Sequence, residues 1–270
     1  MRMIQEKIGQ EGAVLTGYLH EYMPEVPDRT LRPAIIFCPG GGYEILSDRE
    51  ADPPAFDFFA KGFQTFILHY SLKEKAAGRN PLREASQAVK LVRKRSEEWL
   101  VRKNQIVMAG FSAGAHVAGS LGVHFAEVFD CGKMEEGCDR ESNRPDALLL
   151  CYPVITAGKF AHRGSIERVS GTTQIGEKQN FWSLENYVTK DTPPTFLWHT
   201  MSDQTVPVEN SILFLQALRK YQIPCECHLF AEGVHGSSTC RKEVRTVNPE
   251  CAVWVDLAAA WMEKLFGFEE

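Results

Sequence analysis

QIVMAGFSAGAHVAG, residues 105–119, is an apolar run followed by a serine between two glycines and then by a helical pattern. The first five residues predict a buried strand, and the residues after Ser112 predict a helix. A serine on so sharp a turn adopts a strained backbone conformation, which is tolerated only if the residues two positions away on either side lack bulk. Gly110 and Gly114 meet this requirement, so the pattern predicts that Ser112 is a nucleophile. The competing interpretation is that Ser112 only caps the helix.

The rest of the chain repeats this alternation of strand and helix. Most strand-like runs are almost continuously apolar, which is typical of parallel strands covered on both faces. The alternation predicts a single α/β domain over residues 1–270, built on a doubly wound, mostly parallel sheet with helices on both faces. Residues 12–20 predict an antiparallel edge strand, and Asp52 before two prolines predicts the N-cap of a helix. The other predicted strands are 34–38, 65–70, 105–109, 147–152, 195–199 and 226–230, and the other predicted helices are 81–99, 209–221 and 251–266.

Two segments interrupt the alternation and are predicted to be insertions. Residues 127–146 are polar and acidic, and residues 156–192 are long and weakly patterned. Long insertions on a compact scaffold are often lids or specificity loops. We therefore expect a small cap or lid over one end of the sheet.

Composition restricts the class of protein. The chain has 270 residues, of which 44% are hydrophobic and 24% charged, and a formal net charge of −5. The negative charge and the lack of a Lys/Arg block argue against a nucleic-acid partner. No apolar run approaches the ~20 residues that span a membrane, and the N-terminus does not resemble a signal peptide. We expect a cytoplasmic protein with reduced cysteines, a small-molecule partner and no cofactor; a homo-oligomer is compatible with the sequence.

A serine nucleophile needs a base and an acid, which in this fold class follow it in the order acid, then histidine. His235 lies between flanking glycines after the last predicted strand, and Asp203 is the only carboxylate in the loop after strand 195–199. The spacing predicts that Asp203 orients His235, which deprotonates Ser112. The alternative for Asp203 is an ordinary turn residue.

The other histidines fit this role less well. His116 follows Ser112 by four residues on the predicted helix, so we expect it to pack or hydrogen-bond beneath the turn. His199 and His228 fall within predicted strands, where a satisfied core histidine is the simpler interpretation.

A glycine run after the strand at 34–38 predicts an oxyanion hole. Gly41 and Gly42 belong to the sequence Pro-Gly-Gly-Gly-Tyr, and glycines let backbone N–H groups approach a substrate oxygen closely. The N–H of Ala113 is the other predicted donor. Tyr43 and Glu50 are candidate substrate contacts, although the run around Glu50 also fits an ion-paired helix cap.

Together these motifs resemble a known family. The sequences at 39–43, 47–50, 110–114, 192–200 and 203–207 are similar to those of bacterial esterase/lipase-like α/β hydrolases, which are acetyl-esterase or acetyl-xylan-esterase-like. The resemblance implies a Ser-Asp-His triad at Ser112, Asp203 and His235, no cofactor, and short-acyl esters as substrates, with acetylated sugars or xylo-oligosaccharides among them. Two features depart from the family: Ser202 stands where a second acidic residue is common, and the insert at 127–146 is longer than expected.

Other functions compete with this interpretation. A peptidase of the prolyl-oligopeptidase kind shares the order of the triad, and the same fold also serves as a non-catalytic ligand-binding protein. A metal site at Cys131 and Cys138 is disfavoured, because their spacing and the missing second Cys/His pair do not match known zinc sites. We therefore expect no metal.

Overall fold

The computed structural model describes residues 1–128 and 143–267. The strands are β1 (Arg2–Ile8), β2 (Ala13–Leu19), β3 (Arg32–Cys38), β4 (Gln64–His69), β5 (Val101–Phe111), β6 (Ala147–Cys151), β7 (Thr195–Thr200) and β8 (Cys225–Phe230). The helices are α1 (Asp52–Ala60), α2 (Asn80–Lys94), α3 (Ala113–His124), α4 (Arg163–Ser170), α5 (Glu177–Asn180), α6 (Glu209–Lys220), α7 (Pro249–Ala252) and α8 (Trp254–Phe266). In the described residues the strands form one sheet in the order β1-β2-β4-β3-β5-β6-β7-β8.

The sheet is mostly parallel and is covered on both faces. Among the strands of residues 1–128 and 143–267, β3 to β8 pair in parallel, and only β1 and β2 introduce antiparallel pairs. Because successive strand residues point to opposite faces, Ile36 packs in a core with residues of α2 and α3, whereas the next residue, Phe37, packs in a second core with residues of α1 and α8. The predicted doubly wound sheet is therefore confirmed.

The antiparallel edge is larger than predicted. The edge strand expected at 12–20 is present as β2, which pairs with β4 on one side and with β1 on the other. Strand β1 was not predicted from the sequence. Most of its residues are exposed or only half-buried, so it lacks the continuous apolar run that revealed the parallel strands.

The start of α1 corrects one prediction. Ala51, not Asp52, occupies the N-cap position, and Asp52 is the first helical residue. The Asp52 carboxylate accepts a hydrogen bond of 2.6 Å from the hydroxyl of Tyr18 in β2, so it ties the helix to the sheet and does not cap it.

The two predicted insertions differ in how much of them is described. Most of the segment at 127–146 lies outside the described residues. The segment at 156–192 contains α4 and α5. The Arg168 guanidinium in α4 donates to the carbonyl of Gly42 at 3.4 Å and forms an ion pair with Glu44 at 2.8 Å. This segment therefore packs against the glycine-rich loop after β3. Across the described part of the chain, no helix is both long and apolar enough to cross a membrane.

Candidate active site

Ser112 lies on the sharp turn that joins β5 to α3. Its backbone is at φ 53° and ψ −117°, a conformation that side chains with a Cβ rarely adopt. A Cβ on Gly110 would overlap the carbonyl of Gly114, and a Cβ on Gly114 would overlap the carbonyl of Cys38. The two glycines thus allow the chain to turn tightly enough to place Ser112 above the carboxyl end of the sheet, as the sequence pattern predicted.

The structure brings the three predicted triad residues together. His235 Nε2 lies 2.7 Å from Ser112 Oγ, and His235 Nδ1 lies 2.6 Å from Asp203 Oδ2. An ionised carboxylate only accepts hydrogen bonds, so the imidazole proton resides on Nδ1 and is donated to Asp203. The Nε2 lone pair is then free to accept the hydroxyl proton of Ser112, which is the arrangement that proton abstraction requires.

Asp203 is held ionised by a full set of donors. Its Oδ1 accepts from the N–H groups of Thr205 at 2.8 Å and Val206 at 3.0 Å, while Oδ2 accepts from His235 and, at 3.2 Å, from His199. Burial alone would raise the pKa of Asp203, but the hydrogen bonds from His199 and His235 outweigh it and hold the pKa well below its usual value. The carboxylate therefore remains charged over the working pH range.

His199 contacts this acid, a role that was not predicted from the sequence. It was expected to be an ordinary satisfied core histidine, and it is fully buried with both ring nitrogens engaged. Its Nε2 lies 3.0 Å from the Val206 carbonyl, which can only accept. The Nε2 proton therefore serves both this carbonyl and Asp203, and Nδ1 accepts from the Ser211 hydroxyl at 2.8 Å. The position of His199 four residues before Asp203, at the end of the same strand, was the available signal.

The glycine-rich loop after β3 passes beside Ser112 with free backbone donors. Gly41 and Gly42 have φ values of 122° and 65°, a region that favours glycine. In the described residues, no acceptor is bonded to the N–H of Gly41, Gly42 or Ala113. A Cβ on Gly40 would lie 3.0 Å from the Cβ of Ser112. The loop therefore presents bare amides close to the nucleophile.

Glu50 supports this loop from below. Its Oε2 accepts from the N–H of Gly40 at 2.9 Å, and its Oε1 accepts from the Tyr152 hydroxyl at 2.7 Å. The Tyr152 oxygen in turn accepts from the N–H of Ser238, three residues after His235, at 2.8 Å. Burial raises the pKa of Glu50, although these bonds and the neighbouring His235 oppose the shift. Glu50 thus connects the glycine-rich loop to the histidine loop, while its predicted contact with substrate remains a prediction.

Tyr43 is also a buried residue with a hydrogen-bonded side chain. Its hydroxyl lies 2.7 Å from Nδ1 of His116, and the Nε2 of His116 lies 3.0 Å from the Trp182 carbonyl. Because that carbonyl only accepts, His116 donates from Nε2 and accepts from Tyr43. Burial lowers the pKa of His116 to about 4, which keeps the ring neutral. The expectation that His116 hydrogen-bonds beneath the turn agrees with this placement, whereas the contact between Tyr43 and substrate remains a prediction.

Over residues 1–128 and 143–267, no group of three or more His, Cys, Asp or Glu side chains is arranged to hold a metal ion. Cys131 and Cys138, weighed as metal ligands from the sequence, lie outside the described residues.

Comparison with known proteins identifies similar sequences. A family model described as BD-FAE matches residues 19–218. The chain is 38% identical over 232 residues to endo-1,4-beta-xylanase B of Butyrivibrio fibrisolvens, covering 85% of this chain and 35% of the relative. It is 28% identical over 222 residues to an acetylxylan esterase of Xylanibacter ruminicola, covering 80% of this chain and 42% of the relative. The chain thus spans well under half the length of these curated relatives.

Solved structures extend the similarity to almost the whole chain. An acetyl ester-xyloside bifunctional hydrolase from Caldicellulosiruptor lactoaceticus superposes with a TM-score of 0.85 at 36% identity, covering 96% of this chain and 90% of its own. A carboxylesterase from Lactobacillus plantarum superposes with a TM-score of 0.84 at 25% identity, covering 98% of each chain. Both the α/β-hydrolase fold and the resemblance drawn from the sequence motifs are confirmed.

Proposed function

The chain belongs to the BD-FAE family, and from that premise we propose that it is a carboxylic ester hydrolase acting on short-chain esters, including acetyl esters of sugars. One observation carries the proposal: Ser112 Oγ, the His235 ring and Asp203 form a continuous hydrogen-bonded series with steps of 2.7 and 2.6 Å. This geometry supports an acyl-enzyme mechanism with Ser112 as nucleophile, His235 as general base and acid, and Asp203 as the group that orients it.

The first half of the reaction acylates Ser112. His235 Nε2 takes the hydroxyl proton as Oγ attacks the carbonyl carbon of the ester, and the carbonyl oxygen becomes an oxyanion. The free N–H groups of Gly41, Gly42 and Ala113 are donors for this oxyanion, each contributing about 3 kcal/mol in the transition state. His235 then donates the proton to the leaving oxygen as the carbon–oxygen bond breaks, so the alcohol departs neutral.

The second half releases the acid. His235 removes a proton from a water molecule whose oxygen attacks the acyl carbon, and the same backbone donors hold the second oxyanion. When this intermediate collapses, Ser112 Oγ leaves and recovers its proton from His235. No cofactor takes part in either half, and Asp203 remains ionised throughout.

The choice of acetylated sugars rests on the relatives. An acetylxylan esterase and an acetyl ester-xyloside hydrolase are among the proteins to which the chain is similar, and a carboxylesterase shares its fold at 25% identity. A small-molecule ester as the partner, the absence of nucleic-acid and membrane partners, and a cytoplasmic location remain predictions from the sequence.

Two measurements test the proposal. A fluorophosphonate probe should label the wild-type protein and fail to label S112A, because the probe reacts with an activated serine. A series of 4-nitrophenyl esters should show kcat/KM highest for the shortest acyl chains. Equal labelling of both proteins would favour the ligand-binding alternative. A preference for aminoacyl 4-nitroanilides would favour the peptidase, and a maximum at eight or more acyl carbons would overturn the short-chain assignment.

A further inference from the structure

A cavity opens along α4, next to the glycine-rich loop. Its volume is about 710 Å³, and it is widely open to solvent. Four of its lining positions are spaced as one face of a helix is, and three more follow the end of that helix. The lining residues are Gly164, Glu167, Arg168, Gly171, Thr172, Thr173 and Gln174.

His162 lies at the junction between this cavity and the candidate active site. A Cβ on Gly42 would lie 3.8 Å from His162 Cε1, and a Cβ on Gly164 would lie 4.0 Å from the same atom. Arg168 also joins the two regions, since it donates to the carbonyls of Gly42 at 3.4 Å and Gly164 at 3.0 Å. Arg168 therefore contacts both the oxyanion loop and the cavity wall, and His162 lies beside both of them.

The local hydrogen bonds fix what His162 presents to a ligand. Its Nδ1 lies 2.8 Å from Oγ of Ser165, which is fully buried. No other side-chain partner for that hydroxyl is found among the described residues, and a buried hydroxyl left without an acceptor would cost about 1–3 kcal/mol. Ser165 therefore donates to Nδ1, and the imidazole proton lies on Nε2. Burial lowers the pKa of His162, so the ring is a neutral donor.

The chemistry of the cavity favours a neutral, hydroxyl-rich ligand. The charge of Arg168 is balanced by Glu44 at 2.8 Å, and Glu167 adds a negative charge to the lining, which disfavours an anion. The lining has no aromatic or long aliphatic side chain for an acyl group. In the described part of the chain, the side chains of Glu167, Thr173 and Gln174 have no hydrogen-bond partner. They offer donors and acceptors in the mixture that sugar hydroxyls satisfy.

We propose that the α4 cavity is a subsite for the carbohydrate alcohol of the ester, in which His162 Nε2–H donates to a sugar hydroxyl beside the acetylated position. The inference rests on the proposed esterase function and adds the place where the sugar chain binds. Neighbouring sugar units then lie along Glu167, Thr173 and Gln174. 4-Nitrophenyl acetate carries the same acyl group but no sugar, so the two substrates separate contacts to the alcohol from contacts to the ester.

The test compares kcat/KM for an acetylated xylotriose with kcat/KM for 4-nitrophenyl acetate in the same protein. H162F keeps a planar ring but removes the donor, and E167A/Q174A removes two polar groups from the cavity. Each variant should lower the ratio of the two kcat/KM values about tenfold, equivalent to about 1.4 kcal/mol, mainly through a higher KM for the sugar ester. Unacetylated xylotriose should inhibit the wild-type enzyme competitively, and its Ki should rise in E167A/Q174A.

A matched control keeps the result interpretable. H228F makes the same substitution at a half-buried histidine on β8, whose ring contacts Phe196 and Phe230, and it should leave the ratio at the wild-type value. An unchanged ratio in H162F, or an equal loss on both substrates, would overturn the sugar subsite while leaving the esterase assignment intact. Failure of the wild-type protein to hydrolyse either ester would instead remove the proposed function itself.

Discussion

The acid side and the oxyanion side of Ser112 use hydrogen bonds in opposite ways. On the acid side, the carboxylate of Asp203 accepts from four N–H groups, those of His199, Thr205, Val206 and His235. Every strong acceptor direction is occupied before any substrate binds. A charge that is present throughout the reaction is thus fully stabilised in the resting protein.

The oxyanion side keeps its donors unused. The N–H groups of Gly41, Gly42 and Ala113 are bonded to no acceptor within the described residues, and Glu50 instead bonds the neighbouring N–H of Gly40 at 2.9 Å. Donors that face a charge formed only in the transition state accelerate the reaction because they need no reorganisation. The fold thus satisfies the permanent charge and reserves free donors for the transient one.

The largest loss of activity should come from the acid side, at Asp203. In D203N the side-chain amide can donate to Nδ1 of His235, so the imidazole proton moves to Nε2. A protonated Nε2 can no longer accept the hydroxyl proton of Ser112. We expect kcat for 4-nitrophenyl acetate to fall by about 10⁴-fold. D191N, at an exposed aspartate in the loop before β7, is the matched control and should retain wild-type kcat. A loss of less than about 100-fold in D203N would mean that the acid does not set the tautomer.

The next effect should come from the free donors, at Gly41. A Cβ at this position would overlap the carbonyl of Ile45, so G41A must shift the loop and misplace its amides. We expect kcat to fall by about 10²–10³-fold, the usual effect of losing one oxyanion donor. G78A is the control: Gly78 also has positive φ, at 69°, but a Cβ added there would have no atom within 4 Å. Equal kcat losses in both variants would point to backbone strain in place of lost donors.

A smaller effect should follow from loosening the acid side at His199. H199L removes one donor from Asp203, which makes the carboxylate more basic and better able to stabilise the protonated His235. The acidic limb of the kcat/KM profile should therefore move to higher pH, by about one pH unit for the loss of one such hydrogen bond. H199Q retains an amide donor and should restore much of the wild-type profile. Identical profiles for the two variants would show that His199 only fills space.

The fold and the positions of the triad residues could be predicted from the sequence. The positions of Ser112, Asp203 and His235 followed from strand ends, because each comes after an apolar run whose carboxyl end faces the same edge of the sheet. The doubly wound sheet followed from the alternation of apolar runs and amphipathic helices. These signals are local in sequence, so they can be recognised without knowing which distant residues pack together.

The supporting contacts could not be predicted because they join residues far apart in sequence. Glu50 bonds Tyr152, 102 residues away, and the signal at Glu50 was only a short polar run, which fits an exposed surface equally well. Tyr43 looked like a pocket residue since it follows the glycines, but its hydroxyl reaches His116, 73 residues later. Strand β1 was missed for a different reason, its exposure at the sheet edge.

The smallest effect concerns stability on the oxyanion side, where Glu50 is buried beneath the loop. Because burial raises the pKa of Glu50 above 4.5, the folded state binds its proton more tightly than the unfolded state does. Its contribution to stability is full below pH 4.5 and is lost as pH rises through the raised pKa. Glutamine does not titrate, so the free energy of unfolding of E50Q relative to wild type should rise over this interval by about 1.4 kcal/mol for each unit of pKa difference.

Urea unfolding at a series of pH values from about 4 to 8, the range around the carboxyl pKa, measures this difference. E97Q, at an exposed glutamate in the turn after α2, corrects for the loss of one negative charge. The E50Q substitution also weakens the hydrogen bond to Tyr152, which lowers the free energy of unfolding by a similar amount at every pH. The test is therefore how the difference in free energy of unfolding between E50Q and wild type changes with pH, and not its absolute size. A flat difference would mean that Glu50 has the same proton affinity in both states. Burial would then not penalise the charged form of Glu50. The oxyanion side, like the acid side at Asp203, would then hold a fully stabilised carboxylate.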